Sequence, residues 1–283
     1  MIVVRLRGGL GNQLFEYACG RALALRNGAP LKLDVTRYRD RSYAEPRPYL
    51  LDRFRITASE AGALQMKLAH GGRIARALTA LAPSRRFRTF SDEALRFQPE
   101  VAAACGNVYL LGYWQCERYF ADCADTLRSE FALRDEPQGD SLRLLREIED
   151  CEAVSVHVRR GDFLTEPGFQ VCGLEYYQRA AESIAKAVHA PHYYVFSDDP
   201  AWTKEHLALQ PAVFVSHNSE GRPEEDLRLM RRCKHHIIAN STFSWWAAWL
   251  CEHPGKIVIA PRRWFTDPKR DSSDIVPASW TCL

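Results

Sequence analysis

No stretch of this chain strings together the roughly 18 apolar residues that a membrane-crossing helix needs, so no span is expected. Its opening, Met1-Ile2-Val3-Val4-Arg5, lacks the charged-then-apolar layout of a secretory leader. No two of the nine cysteines stand at Cys-x-x-Cys spacing, and their number is odd. That argues against a zinc knuckle and against a disulfide framework, and it points to a reducing, cytoplasmic setting. Cys19 and Cys251 fall inside apolar helical patterns, where a thiol serves as a small hydrophobe. Net charge is scarce as well: 38 Lys and Arg against 35 Asp and Glu leave +3, too little to make nucleic acid the expected partner. Internal repeats and low-complexity tracts are missing, which excludes solenoid and disordered-tail architectures.

What is present is a 283-residue chain with 46% hydrophobic and 26% charged residues, the balance of a folded protein with a sizeable core. Charge is unevenly spread. Residues 1–90 carry 17 basic and 6 acidic side chains, residues 91–283 carry 21 and 29. An anionic ligand or surface near the first third fits this, and so does a solvated basic face. In the second half, apolar β-branched runs at 153–158, 193–196, 212–215, 236–239 and 257–259 alternate with helical patterns at 175–188, 200–207, 224–233 and 244–252. Strands that are nearly all apolar and separated by helices belong to a parallel sheet covered on both faces, here a doubly wound α/β domain. The first half starts alike, with a strand at 2–6, a helix at 12–26 and a strand at 31–34. Regularity lapses from 37 to 100, then resumes with a strand at 108–111 and helices at 117–129 and 141–149. The polar run Arg134–Asp140 reads as a surface connection. The expected architecture is therefore α/β, two Rossmann-like domains (1–140 and 141–283) facing across a cleft.

Four segments carry chemistry. Arg5-Leu6-Arg7-Gly8-Gly9-Leu10-Gly11-Asn12-Gln13 is a glycine-rich turn from strand to helix, suited to bringing backbone N–H groups and a helix dipole against an anion. A dinucleotide fingerprint would want glycine or alanine where Leu14 stands, and plain turn chemistry accounts for the glycines equally well. In Val156-His157-Val158-Arg159-Arg160-Gly161-Asp162 a buried strand ends in two arginines, where open α/β sheets bind ligands. Paired guanidiniums there can clamp a diphosphate; a closed Arg–Asp cluster, with Arg160 on Asp162, is the plainer alternative. In Phe196-Ser197-Asp198-Asp199-Pro200 the aspartates are adjacent rather than spaced as a metal-binding Asp-x-Asp. Asp199 before proline reads as a helix N-cap, leaving Asp198 the freer of the two to accept from a purine. In Asn240-Ser241-Thr242-Phe243-Ser244-Trp245-Trp246 polar residues open a tryptophan-rich helix and offer a second anion cradle. Trp245 and Trp249, four apart, read as core. His235 and His236 lack a ligand-spaced partner, so no metal site is expected.

Gly8-Gly9-Leu10-Gly11-Asn12-Gln13, His157-Val158-Arg159-Arg160-Gly161-Asp162, Phe196-Ser197-Asp198-Asp199 and Asn240-Ser241-Thr242-Phe243-Ser244-Trp245 together resemble the α-1,2-fucosyltransferases of glycosyltransferase family 11. Order and spacing agree from about residue 2 to 262. The resemblance implies a two-domain GT-B fold, a GDP-fucose donor bound by the C-terminal domain, inversion at the anomeric carbon and no metal or other cofactor. It also implies roles: His157 on the guanosine, Arg159 on the β-phosphate, Asp198 on the guanine. Asn240, Ser241, Thr242, Phe243 and Gly11 join the donor site, and Asn12 from the opposite domain reaches the transferred sugar or its phosphate. Glu16 stands where the family often has glutamine.

For an inverting transfer the acceptor hydroxyl loses a proton to a carboxylate. Asp162, Glu166 and Glu16 are the candidates, and Asp162 is grouped with Arg159 and Asn12 as catalytic. The implied acceptor is a terminal galactose of a glycan, attacked through its 2-hydroxyl. Tyr38, Tyr43, Tyr49, Tyr113, Trp114 and Gln115 are available to bind it, with core packing the alternative for Tyr113 and Trp114. The readings that compete are a GDP-sugar transferase of another acceptor or linkage, a non-catalytic sugar-nucleotide-binding module, and a dehydrogenase. The basic stretch from Arg73 to Arg88, with Ile74, Leu78 and Leu81 between its arginines, reads as a domain-packing helix or as one lying on the inner face of an anionic membrane.

Overall fold

A computed structural model of the chain describes residues 1–40, 47–92, 95–161, 166–218 and 221–283. The chain divides into two compact units, Met1–Arg134 with Ser273–Ile275, and Asp135–Ser272 with Val276–Leu283. Each is built on one parallel sheet, the α/β class expected.

Unit 1 holds β1 (Ile2–Arg5), β2 (Leu31–Asp34), β3 (Ser59–Glu60), β4 (Phe87–Ser91) and β5 (Asn107–Leu111), in the order β3-β2-β1-β5-β4. The central strand has the most uniformly apolar run. Ile2, Val3 and Val4 are fully buried, Ile2 lying between Leu31 on one side and Val108 on the other. Hydrophobic burial of this kind, about 25 cal/mol per Å2 of apolar surface, places the least polar strand in the middle. The helix Leu10–Arg26 returns the chain from β1 to β2. Its Leu14, Phe15, Ala18 and Ala22 are all buried.

Unit 2 holds β6 (Glu152–Val158), β7 (Pro191–Ser197), β8 (Ala212–Val215), β9 (His235–Ile237), β10 (Val258–Ala260) and β11 (Thr281–Cys282), ordered β11-β10-β9-β6-β7-β8. Val154, Val156 and Val158 of β6, Val195 of β7 and Ile237 of β9 form its core with Tyr177, Ala180 and Ile184 of the helix Leu174–Ala187. In unit 2 the chain builds outward on one side of β6 and then on the other; in unit 1 it builds β2 and β3 outward from β1, then lays β4 at the far edge before β5 fills the place beside β1. The order therefore reverses between β1 and β5, and between β6 and β9. The carboxyl ends of strands at such reversals are the places where open α/β sheets leave a crevice.

The sequence pattern misplaces some elements. The stretch expected to be irregular contains the helices Ala63–His70 and Arg73–Leu81 and both edge strands, β3 and β4. Two exposed residues in β3 and a mixed Phe-Arg-Thr-Phe-Ser in β4 carry no buried alternation to read. The basic stretch is not one helix. It ends at Leu81; Arg85 closes a 3-10 turn and Arg88 lies in β4. The segment expected as a helix over 117–129 is two 3-10 turns followed by the helix Ala124–Glu130. Among the described residues no helix is long and apolar enough to cross a membrane.

Candidate active site

In unit 2 the reversal gathers the ends of β6, β7 and β9. Arg159 follows β6 and lies 3.1 Å from Oδ2 of Asp198, which follows β7. Oδ1 of Asp198 accepts the backbone N–H of Arg160 at 2.8 Å. Asp198 is thus not the freer aspartate, because each of its oxygens is engaged in holding the turn after β6. A Cβ on Gly161 would come within 2.6 Å of Asp198 Oδ2, so a larger residue there would push against the carboxylate that holds the turn. Arg160 pairs with Asp199 at 3.1 Å and lays its guanidinium 3.5 Å from the centre of the Trp202 ring. Asp162, its expected partner, lies outside the described residues. Asp199 also accepts the Trp202 N–H at 3.2 Å, capping the helix Pro200–His206 as its place before proline predicts.

His157 is 5% exposed, and its ring lies 5.5 Å from that of Phe243. This contact sets the end of β6 against the N-terminus of the helix Thr242–Leu250. The backbone carbonyl of His157 accepts from Tyr177 Oη at 3.1 Å, while its Nδ1 is buried without a partner among the described residues. Burial, helped by the Arg159 charge, pushes its pKa down to about 3, so the ring is a neutral donor or acceptor. Ser241 caps the Thr242–Leu250 helix, accepting from Phe243 N at 3.3 Å. Thr242 and Phe243 stand in its first turn; the Phe243 N–H is taken by the Ser241 cap, and the Thr242 N–H at the helix start favours an anion. Asn240 is 2% exposed and gives its amide hydrogens to the carbonyls of Phe169 and Trp264, at 2.9 and 3.0 Å. It fixes the loops behind the cradle. Trp245 and Trp249 are core, as expected, with their rings stacked 6.1 Å apart.

In unit 1 the reversal gathers the ends of β1 and β5. Gly8 has φ +75, and its carbonyl accepts from Tyr38 Oη at 3.0 Å and Gln13 Nε2 at 3.2 Å. Gln13 is fully buried. It also donates to the Pro48 carbonyl at 2.9 Å and accepts from Leu50 N at 3.0 Å, so it braces the loop and has no hydrogen left for a ligand. Asn12 stays partly exposed, held by Gln115 Nε2 at 3.0 Å. Arg7 lies 4.0 Å over the Tyr113 ring. Trp114, between Tyr113 and Gln115, is fully buried at φ +53, and Asp92 accepts its N–H at 3.1 Å. It belongs to the core. Tyr38 and Tyr49 face each other at 6.0 Å; Tyr43 lies outside the described residues.

Glu16 is fully buried and accepts the Arg7 N–H at 2.8 Å, with the Arg7 side chain 3.9 Å away. Burial pushes its carboxyl well above the ordinary range. Its bond to the Arg7 N–H ties the start of the glycine turn to the helix Leu10–Arg26, the contact of a loop support. Glu166 is exposed, just before the 3-10 turn Pro167–Phe169. Sequence reasoning passed over Tyr177 and Trp202, which brace the segment after β6 in unit 2, and Asp92, which holds Trp114 in unit 1. Only the aromatic after the capped proline, Trp202, left a readable signal.

Residues 82–283 match glycosyl transferase family 11. The chain belongs to this family. It is 32% identical to an α-1,2-colitosyltransferase from Escherichia coli, over 99% of this chain and 98% of that protein. It is 30% identical to the O-antigen biosynthesis glycosyltransferase WbnK from Escherichia coli, over 98% and 99%. It is 29% identical to galactoside α-(1,2)-fucosyltransferase 1 of Ateles belzebuth, over 86% of this chain and 63% of that one. Glycosyltransferase family 11 membership accounts for the order of the segments around His157, Asp198 and Asn240, which lie within the match, and leaves the donor sugar and acceptor to be argued.

Proposed function

We propose that this protein transfers fucose from GDP-fucose to the 2-hydroxyl of a terminal galactose on a glycan, with inversion at C1. The observation that carries the reading is the packing of His157 on Phe243, which sets the arginine pair after β6 beside the helix start at Thr242. The diphosphate is assigned to Arg159 and to the first-turn N–H of Thr242, with Ser241 and Phe243 beside it. The base is assigned to His157, whose unpartnered Nδ1 wants a ligand, and to Asp198, whose oxygens keep lone pairs beyond those held by Arg159 and Arg160. Asn12 is assigned to the transferred sugar or the phosphate that bears it.

The acceptor oxygen attacks C1 as the bond from C1 to the diphosphate oxygen breaks. GDP leaves with the bonding electrons, and the hydroxyl proton passes to a carboxylate, Asp162 or Glu166, or to water. Charge grows on the departing diphosphate. Fixed donors aimed at it stabilise the transition state more than the ground state, and a guanidinium with helix N–H groups does this without a metal ion. Arg7, Tyr113, Tyr38 and Gln115 of unit 1 suit the acceptor: rings pack on the apolar face of galactose and amides bind its hydroxyls.

The full-length likeness to a colitosyltransferase supports a second reading, in which the sugar transferred is colitose on the same acceptor hydroxyl. One experiment separates these. The protein is incubated with GDP-fucose, GDP-colitose or GDP-mannose and with galactose-, glucosamine- and mannose-terminated acceptors, with and without excess chelator, and the linkage is read by NMR. An α-1,2-fucosylated galactoside formed in chelator is expected. Product from GDP-colitose alone establishes the second reading, transfer to a non-galactose sugar overturns the acceptor, and loss on chelation restored by manganese overturns the metal-free mechanism.

A further inference from the structure

A cavity of about 490 Å3 opens in unit 2 beyond the carboxyl ends of β10 and β11, lined by Arg179, Arg262, Arg263, Glu175, Gln170 and Thr266 among others. Its size is that of a small-molecule site. None of its three arginines has a carboxylate partner among the described residues. Elsewhere in the unit Arg159, Arg160, Arg228 and Arg232 each have one. Three exposed arginines line one space beside the carboxylate of Glu175 and the chain end at Leu283, and an oxyanion bound there would take forked hydrogen bonds from them. The first turn of the helix Leu174–Ala187 reaches the same space, and its free N–H groups add to the pull.

The walls are fixed. Tyr176 Oη donates to the carbonyl of Ile238 at 2.6 Å and lies 3.2 Å from that of Ile259. Arg262 N donates to Leu283 O at 2.8 Å, and Thr266 N to Gly168 O at 3.0 Å. Asn240, next to the helix cap Ser241, holds the carbonyls of Phe169 and Trp264 in the two flanking loops. The cavity is therefore braced to the anion cradle yet uses none of its residues.

We propose that this cavity is an anion subsite for the acceptor, taking a phosphate or carboxylate carried by the acceptor glycan away from the galactose that is modified. The inference rests on the glycosyltransferase reading above: with the donor diphosphate assigned to Arg159 and Thr242, the acceptor is the reactant left to be held at this end of the sheet.

The test uses three β-galactosides of equal length whose aglycones end in a neutral alcohol, a phosphate or a carboxylate. Wild type is expected to favour one charged acceptor over the neutral one by about 10- to 150-fold in kcat/KM, the scale of one charged hydrogen-bonded contact. Arg262→Ala/Arg263→Ala and Arg179→Ala should each shrink that ratio while leaving GDP affinity by calorimetry unchanged. Whichever of the phosphate and carboxylate arms responds identifies the anion. Equal use of the three acceptors by wild type, or a preference that survives the substitutions, overturns the proposal. A parallel fall in GDP affinity assigns the cavity to the donor instead. Fluorescence anisotropy of the labelled phosphate galactoside is run with and without GDP. Charge-selective binding lost in the arginine variants upholds the subsite even in a protein that fails to bind GDP, an outcome that defeats the donor reading alone.

Discussion

At the scale of single residues, the two arginines after β6 have different tasks. Both are about a quarter exposed and each pairs with an aspartate, Arg159 with Asp198 and Arg160 with Asp199, but Arg160 also lies on the Trp202 ring. Arg159→Ala is therefore expected to lower kcat/KM by about 10- to 150-fold, from loss of a contact worth roughly 1.5–3 kcal/mol. Because charge grows on the leaving group, kcat should fall too. Steady-state kinetics with varied donor decide it, and an unchanged kcat/KM in a folded variant removes Arg159 from the reaction. His157 gives a pH signature. Below about pH 6.5 an unfolded chain takes up a proton there, while the folded protein refuses it until about pH 3. Stability is then lost as pH falls through that window. In urea titrations, the drop between pH 7.5 and 5.0 should be smaller in His157→Asn by about 2 kcal/mol. An equal drop would mean that the ring is protonated in the native state. His236, also held down by burial, remains in both proteins.

At the scale of elements, the loop between β1 and its helix is fixed by Gln13, Tyr38 and Glu16 and aims one polar side chain, Asn12, outward. Gly8→Ala tests that loop. A side chain at φ +75 costs about 1–2 kcal/mol, and its Cβ would lie 2.5 Å from Asn12 Nδ2. A modest loss of melting temperature with a larger loss of kcat/KM is expected; wild-type kinetics would show that the position of the Asn12 amide is immaterial. The motif's existence was legible in the sequence, but its division of labour was not. Asn12 and Gln13 are chemically alike, and only the carbonyl of Pro48 and the N–H of Leu50, brought in from a distant segment, make Gln13 a brace. The same holds for Asp198. Its place after an apolar strand was readable, its bond to the Arg160 N–H was not, because that depends on how the turns that follow β6 and β7 meet. The central strands announced themselves through unbroken apolar runs, whereas β3 and β4 at the sheet edge bury too little to leave a pattern.

At the scale of the whole molecule, the chain does not divide at a single point. Residues 273–275 belong to unit 1, where Asp274 accepts the Phe97 N–H at 2.9 Å and pairs with Arg96 and Arg118. Unit 1 is thus completed by a segment that follows nearly all of unit 2 in sequence. Asp274→Ala is expected to destabilise unit 1 by about 1–3 kcal/mol, the cost of leaving a partly buried donor without its acceptor. A thermal melt checks this, and wild-type behaviour would show that water replaces the carboxylate. By the same logic a fragment ending at Arg134 lacks this acceptor and should melt below the full chain.

The Thr242–Leu250 helix has an optical consequence. Trp245, Trp246 and Trp249 lie edge-on or stacked on one another, and Trp245 also meets Trp280 at 5.4 Å. Four of the seven tryptophans thus form one excitonically close group whose first turn is the proposed diphosphate cradle. An anion arriving at that turn changes the electric field along the helix on which three of these indoles sit. The protein therefore carries its own chromophore for donor binding, and an emission shift on adding GDP would report occupancy with no label attached.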